Sequence, residues 1–375
     1  MAVQIRMVRS RNDLETFIQL PLRIYQNWPN HTPPLLRDER RLHDPLFNAA
    51  LGICDTVCFL AESQNQIVGR VMGIIHHHHN EKNHELDVRF FQLDCINKNE
   101  VASSLLDAVC MWGQSMGMRR LIGPFGFSDK DPQGIQIEGP DDQAVLSSAS
   151  HPPYMHKLIE RWGFSKFKDC VSYCWKIDSK LPSVHEAVAQ RIMRNNHYAQ
   201  APISNRKALK PYFPEIMDLM NRAYEDIYGF EPLSDVDVER LAQEFLDFID
   251  PDYVKIIVNQ NQRVVAFVIA MANMSEGFRK AKGRLWPLGA LKLWRSMKKS
   301  SKLDLLLGAV EPKLHGKGIT SIMALSLLGN AAKKGMKTLD SHLILEENKS
   351  MRAEMERLGA QLFKRYRIYQ KVISN

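Results

Sequence analysis

The 375-residue sequence predicts a mixed α/β protein: two tandem α+β units, each with a mixed sheet, joined by a linker helix. Three observations carry this. Short apolar runs of strand length alternate with helical patterns along the chain. The order of those elements repeats after about half its length. The two halves also end alike, in "LIERWGFSKFKDCVSYCWKI" and "EMERLGAQLFKRYRIYQKVI", each a helix, a Gly turn and a long aromatic strand. Two units account for this better than one large sheet. The expected divisions are 1–180, a linker helix over 181–200, and 201–375.

Taken in order, the first half reads strand "VQIRMV", helix "DLETFIQLPLRIYQ" and the Pro-rich "WPNHTPPLLRDERRLHDP". Strands "TVCFLAES", "QIVGRVMGII" and "VRFFQLDCI" follow, then helix "NEVASSLLDAVCMWGQSMG" and strand "RRLIGPFGF". The second half begins with strand "ISNRKAL", helix "FPEIMDLMNRAYEDIYG" and a helix from Ser234 or Asp235, either of which suits an N-cap. Strands "YVKIIVNQ" and "RVVAFVIAMAN" come next, then a basic insertion over 279–302. Strand "LDLLLGAV", helix "ITSIMALSLLGNAAKKG", strand "TLDSHLIL" and helix "NKSMRAEMERLG" precede the final strand.

Composition is that of a folded protein, 45% hydrophobic and 25% charged. No apolar run reaches the ~18 residues of a membrane span, and the start lacks a secretory signal's apolar core. A cytoplasmic protein is expected. The six cysteines, at 54, 58, 95, 110, 170 and 174, then stay reduced as small hydrophobes. Their C-x3-C spacings do not match common zinc spacings, and His76 to His79 read as a solvated strand end, so no metal is expected. Residues 1–180 hold 20 Lys+Arg and 21 Asp+Glu, while the remainder holds 30 and 21. Nine of those basic residues, with no acidic one, lie between Arg279 and Lys302. That segment calls for something anionic, or for solvent alone.

The stretch "GAVEPKLHGKGITSIM" places His315-Gly316-Lys317-Gly318 between a strand and a helix. Glycines let a backbone approach a ligand, and a helix start offers unpaired N–H groups, a geometry suited to phosphate. A plain basic-tipped turn is the competing reading.

From about Pro202 onward the second half resembles the GCN5-related N-acetyltransferase (GNAT) superfamily. That family's loop is Arg or Gln, two residues, Gly, one residue, then Gly or Ala. Here Gly318 matches, His315 replaces the first residue and Thr320 the last. The resemblance implies acetyl-CoA or another acyl-CoA as co-substrate, with its diphosphate on the main chain of Gly316, Lys317, Gly318, Ile319 and Thr320. It also implies that Val310, Glu311 and Pro312 form a bulged strand end beside the pantetheine arm. Asn348 and Gly359 have the spacing of a second family feature. The first half resembles the fold without the signature, since "NKN" stands where the loop belongs. The whole layout is similar to a group of bacterial double-GNAT proteins.

The implied reaction is acyl transfer to a small amine or amino-acid-like acceptor, with a base for the amine and an acid for the leaving thiolate. Glu311 and Glu346 are the candidate bases. The family's acid is a Tyr, and Met355 occupies that position. The alternative is therefore a degenerate pair that binds a ligand or partner without turnover. Tyr224 and Tyr228 are packing residues that could instead face an acceptor pocket, and Trp28 is a packed loop aromatic that could instead line a cleft between the halves. In the basic segment, Leu291, Trp294 and Met297 or Lys298 fall on one helical face at three- and four-residue steps, with Lys292, Arg295 and Lys299 on another. Packing on the sheet is the expected use, with a lid over the site or contact with an anionic membrane as alternatives. Nucleic acid is not an expected partner, because no recognition motif surrounds the two tryptophans.

Overall fold

The computed structural model describes residues 2–140, 148, 150–177, 183–195, 197–233, 238 and 249–373. The helix expected from Ser234 lies outside the described residues. Packing divides the chain into two compact units, and neither is one continuous stretch. The first comprises Met1–Val171, Met274–Ser296 and Lys364–Asn375; the second comprises Ser172–Asn273 and Met297–Phe363.

In the first unit β1 (Gln4–Met7), β2 (Cys54–Ser63), β3 (Gln66–His76) and β4 (Asp87–Cys95) form an antiparallel ladder. Between β1 and β2 run α1 (Arg11–Ile24), which Ser10 opens with a capping box, and α2 (Leu36–Leu42). The histidine run is not a solvated strand end. His76 closes β3, and α3 (His77–Asn83) begins at once, so helical spacing buries His76 and His79 and exposes His77 and His78. Helix α4 (Asn99–Ser115) crosses the sheet, and its Val101, Leu105, Leu106 and Val109 fill the core against Val88, Phe90 and Leu93. Strand β5 (Arg120–Gly123) then pairs parallel to β4 over Asp87–Arg89 alone. Beyond these lie β6 (Ile135–Glu138), α5 (Met155–Arg161) and β7 (Ser165–Lys176). The partner of β5 on its other side comes from the chain's last strand: Tyr369 to Val372 pair antiparallel with Gly123 to Arg120.

The second unit repeats the plan. Helix α6 (Ser183–Arg194) precedes β8 (Tyr198–Gln200), which is the unit's first strand. The strand expected over "ISNRKAL" is instead a 3-10 turn, Arg206–Tyr212, because Asn205 caps it on Ala208 N–H (3.2 Å) and Pro211 offers no ladder donor. Helix α7 (Phe213–Ala223) packs Phe213, Ile216, Met217 and Met220 on β9 (Val254–Asn259) and β10 (Val264–Ala272). Between β10 and β11 the chain forms α8 (Ser275–Ala281) and α9 (Gly289–Lys299), and Met274–Ser296 of this stretch belong to the first unit. Strand β11 (Lys302–Val310) is antiparallel to β10 and leads into α10 (Ile319–Lys333). The expected "TLDSHLIL" strand is split into β12 (Thr338–Asp340) and β13 (Ile344–Leu345): past Asp340 it is the Ser341 hydroxyl that accepts from Tyr173 N–H (2.9 Å). Helix α11 (Lys349–Arg357) and β14 (Gln361–Val372) close the chain. Here the end of β7 supplies the sixth strand: Cys174 to Lys176 pair with Asp340 to Thr338 of β12. Each half's closing strand thus contributes to the other half's unit.

Candidate functional site

The second unit's sheet opens at one point. Strands β11 and β12 run parallel from Lys302↔Thr338 to Asp304↔Asp340 and then part. Against β10, the register of β11 shifts between Leu305 and Leu307, so Leu306 is the extra residue of a bulge. The bulge is therefore not at Val310–Pro312: Val310 still pairs with Ala266, and Glu311 N–H still reaches the Val265 carbonyl (2.8 Å). Beyond it, Pro312–Leu314 make one 3-10 turn, and His315 Nε2–H donates back to the Val310 carbonyl (3.0 Å).

The glycines do what the sequence requires of them. Gly316 (φ +72°) and Gly318 (φ +83°) both hold left-handed backbone. Gly318 is the N-cap of α10, with no side chain capping the helix. Lys317 N–H is committed to the Leu314 carbonyl (3.2 Å), but among the described residues no backbone acceptor takes the N–H groups of Gly316, Gly318, Ile319 or Thr320. A side chain on Gly316 would meet open space. One on Gly318 would overlap Val188 of α6 and lie 2.9 Å from Ile192 Cδ1. Helix α6 is held there by His185, whose Nδ1 accepts from Ser321 Oγ (2.8 Å) and whose Nε2–H donates to the Arg357 carbonyl (2.9 Å). The close approach at Gly318 thus serves helix packing as well as any ligand.

The other expected residues fall as follows. Glu311 is ion-paired to Arg222 of α7 (3.2 Å). Glu346 is half-buried just past β13, and its carbonyl accepts from Arg352 (3.1 Å). Asn348 caps α11 through Met351 N–H (3.0 Å). Met355 is buried. Tyr173 of β7 donates to Glu356 (2.7 Å), the residue after Met355, and accepts from Arg352 Nε (3.2 Å), which brings a phenol to this turn of α11. Tyr224 donates to the Gly308 carbonyl on the opened part of β11 (2.9 Å).

Sequence reasoning missed the polar groups at the parting point. Asp304, 2% exposed, accepts from Asn273 Nδ2 at 2.8 and 3.1 Å. Burial pushes its carboxyl up to about 7, against the pull of Lys302 and with the help of Asp340, which is itself ion-paired to Lys302. His342, between β12 and β13, is held neutral: burial brings it down to about 4, and its Nδ1 has no hydrogen-bond partner. The one signal was a carboxylate in each of two apolar strands, "KLDLLL" and "TLDSHL".

The first unit has a polar cluster of its own. Arg70 is buried between Asp94 (2.8 Å) and Glu39 (3.4 Å), and Gln92 Nε2 also donates to Glu39 (2.8 Å). Burial alone would raise Asp94; Arg70 reverses this and holds it below the usual carboxylate range. Burial lowers His31 and His43 to about 4. Trp28 stacks on His31 (5.9 Å), a packed role for the loop tryptophan. Among the described residues no group of three or more His, Cys, Asp or Glu is placed to hold a metal.

No protein-family model matches the chain. It is 26% identical to Protein YghO of Escherichia coli strain K12, over 98% of this chain and 95% of that protein. It is 24% identical to a bacterial ceramide synthase of Caulobacter vibrioides, over 98% and 96%. Among solved structures, a tandem GNAT protein from the clavulanic acid biosynthesis pathway superposes at TM-score 0.54 and 10% identity, covering 100% of this chain and 99% of that one. A GCN5-related N-acetyltransferase from Sphaerobacter thermophilus does so at 0.51 and 10%, covering 100% and 96%. Such identities speak for fold alone. The repeated unit, the parted parallel strands and the glycine turn agree with it: this chain has the fold of the tandem GNAT proteins.

Proposed function

We propose that the chain is an acyl-CoA-dependent N-acyltransferase whose working site is the parted strands of the second unit. The observation that supports it most is the glycine turn at 315–320, whose unpaired N–H groups open α10 directly after β11. Such groups suit the diphosphate of CoA, and Lys317 adds a cation. The amine nitrogen attacks the thioester carbonyl, a C–N bond forms and the C–S bond breaks. The amine's proton passes to His342 Nδ1 or to Asp304, and the thiolate leaves with a proton from Tyr173 or water. Acetyl-CoA is the simplest donor and a small amine the simplest acceptor. A ceramide is the amide of a long-chain amino alcohol, so the name of the Caulobacter relative favours an amine that carries hydrocarbon. This reading places the protein in the cytoplasm.

A second reading, a binding pair without turnover, is favoured by Met355 and by Val188 seated against Gly318. Calorimetry of the full chain with acetyl-CoA and palmitoyl-CoA, followed by thiol release with short- and long-chain amines, separates the two. Binding with amine-dependent thiol release supports the transferase, and a His342→Gln variant should then lower kcat at unchanged acyl-CoA affinity. Binding without release in any amine supports the second reading. No binding of either thioester sinks both.

A further inference from the structure

The basic insertion does not bury the face that its sequence singles out. Helix α9 buries Gly289, Leu293 and Ser296 against α8, where Gly277 N–H donates to Ser296 Oγ (3.0 Å). A Cβ on Gly277 would lie 2.9 Å from both Leu293 Cα and Ser296 Cβ, so small residues set the packed face. The larger apolar side chains point away. Trp286 is 87% exposed, Leu288 59%, Leu291 42% and Trp294 56%. Leu288, Leu291 and Trp294 recur at three-residue steps, which makes one solvent-facing stripe. Lys292, Arg295, Lys298 and Lys299 flank it on the same helix. Among the described residues, Arg284, Arg295, Lys298 and Lys299 form no ion pair. A cleft of ≈ 390 Å³ beside Trp286 is lined by Arg37, Arg40 and Arg284; Arg37 pairs with Asp38 and Arg40 with Glu15, which leaves Arg284 uncommitted.

We infer that α9 and the Trp286 turn before it form a docking surface for an anionic lipid bilayer. An apolar stripe costs free energy in water at these exposures, and a monomeric protein that keeps two tryptophans and two leucines outward needs a partner to cover them. The partner's chemistry follows from the flanks. Indole rings settle at the boundary of headgroup and acyl chain, where one edge is apolar and the other wet. Lysine and arginine stems lie along the apolar surface and reach phosphate with their heads. Tryptophan and leucine on one side with cations beside them are the composition of helices that lie in the interface plane. A nucleic acid would use the cations but has no use for Leu288 and Leu291. This inference stands whether or not the second unit transfers acyl groups.

The test is co-sedimentation of the full chain with phosphatidylcholine vesicles, with and without 30% phosphatidylglycerol, at roughly physiological salt. The expected result is strong binding to the anionic vesicles only, with a blue shift of tryptophan emission. A Trp286→Ser, Trp294→Ser double variant should bind at least tenfold more weakly. Both residues are exposed, so its thermal midpoint should match the parent. Absence of the parent from the anionic pellet would overturn the inference. So would equal binding by the double variant, or retention of polyuridylate as tight as that of vesicles and unaffected by the two substitutions.

Discussion

At the scale of single residues, the chemistry rests on groups whose surroundings override their ordinary behaviour. Gly316 and Gly318 were legible in the sequence, because only glycine takes left-handed backbone without cost and both stand at a strand-to-helix turn. Asp304 was not. Its partner Asn273 lies 31 residues earlier, and Asp340 reaches it only through strand pairing. The raised carboxyl makes a stability prediction with a definite sign. The folded protein keeps a proton that the unfolded chain releases between pH 3.8 and about 7. Stability from this group is therefore greatest below that window and falls as pH rises through it, by about 1.4 kcal/mol per pH unit and on the order of 4 kcal/mol in all. Urea denaturation from pH 4 to pH 7.5 should show this fall in the parent and a flatter profile in Asp304→Asn. Parallel profiles would mean that Asp304 is an ordinary ionised carboxylate.

At the scale of elements, amphipathic spacing identified α1, α4 and α7, whose apolar faces became the faces they bury. It failed for α9, where a glycine and a serine allow α8 to approach and leave the bulky residues outside. It also could not foresee that α6 packs on the opening of α10. That packing changes what a substitution at Gly318 reports. Gly318→Val combines left-handed strain, about 1–2 kcal/mol, with overlap against Val188, about 1–3 kcal/mol. A drop in stability on the order of 3 kcal/mol is expected, and adding Val188→Ala should recover part of it. Gly316→Ala faces open space and should cost only the strain, so it is the cleaner probe of ligand binding at the turn. If Gly318→Val unfolds at the parent's denaturant midpoint, α6 does not pack as described.

At the scale of the whole molecule, the two matching chain endings are the strands that the units exchange. The first unit needs Tyr369 to Val372 beside β5 and Arg365 to Arg367 beside β6, and the second needs Cys174 to Lys176 beside β12. Expressed alone, residues 1–180 would leave the β5 edge unpaired and Leu121, Phe90 and Phe164 without Tyr369. Such a fragment should be aggregated or expanded in size-exclusion chromatography. Fusing residues 361–373 to its end through a flexible linker should restore a compact, cooperatively unfolding species. A fragment 1–180 that folds cooperatively by itself would show that the exchanged strand is dispensable.

By itself, the sequence determined most of the element types, though not the turn at 206–212 or the helix at 77–83, and with them the repetition, the glycine turn and the cationic insertion. These depend on periodicity and on residues whose backbone freedom or charge acts locally. The tertiary structure alone decided which strand completes which sheet, where the bulge falls, which face of α9 stays in water and which carboxyl holds a proton near neutrality. Each of those depends on groups tens to hundreds of residues apart being brought within hydrogen-bond or van der Waals distance. Burial, which no local pattern encodes, then sets their energies.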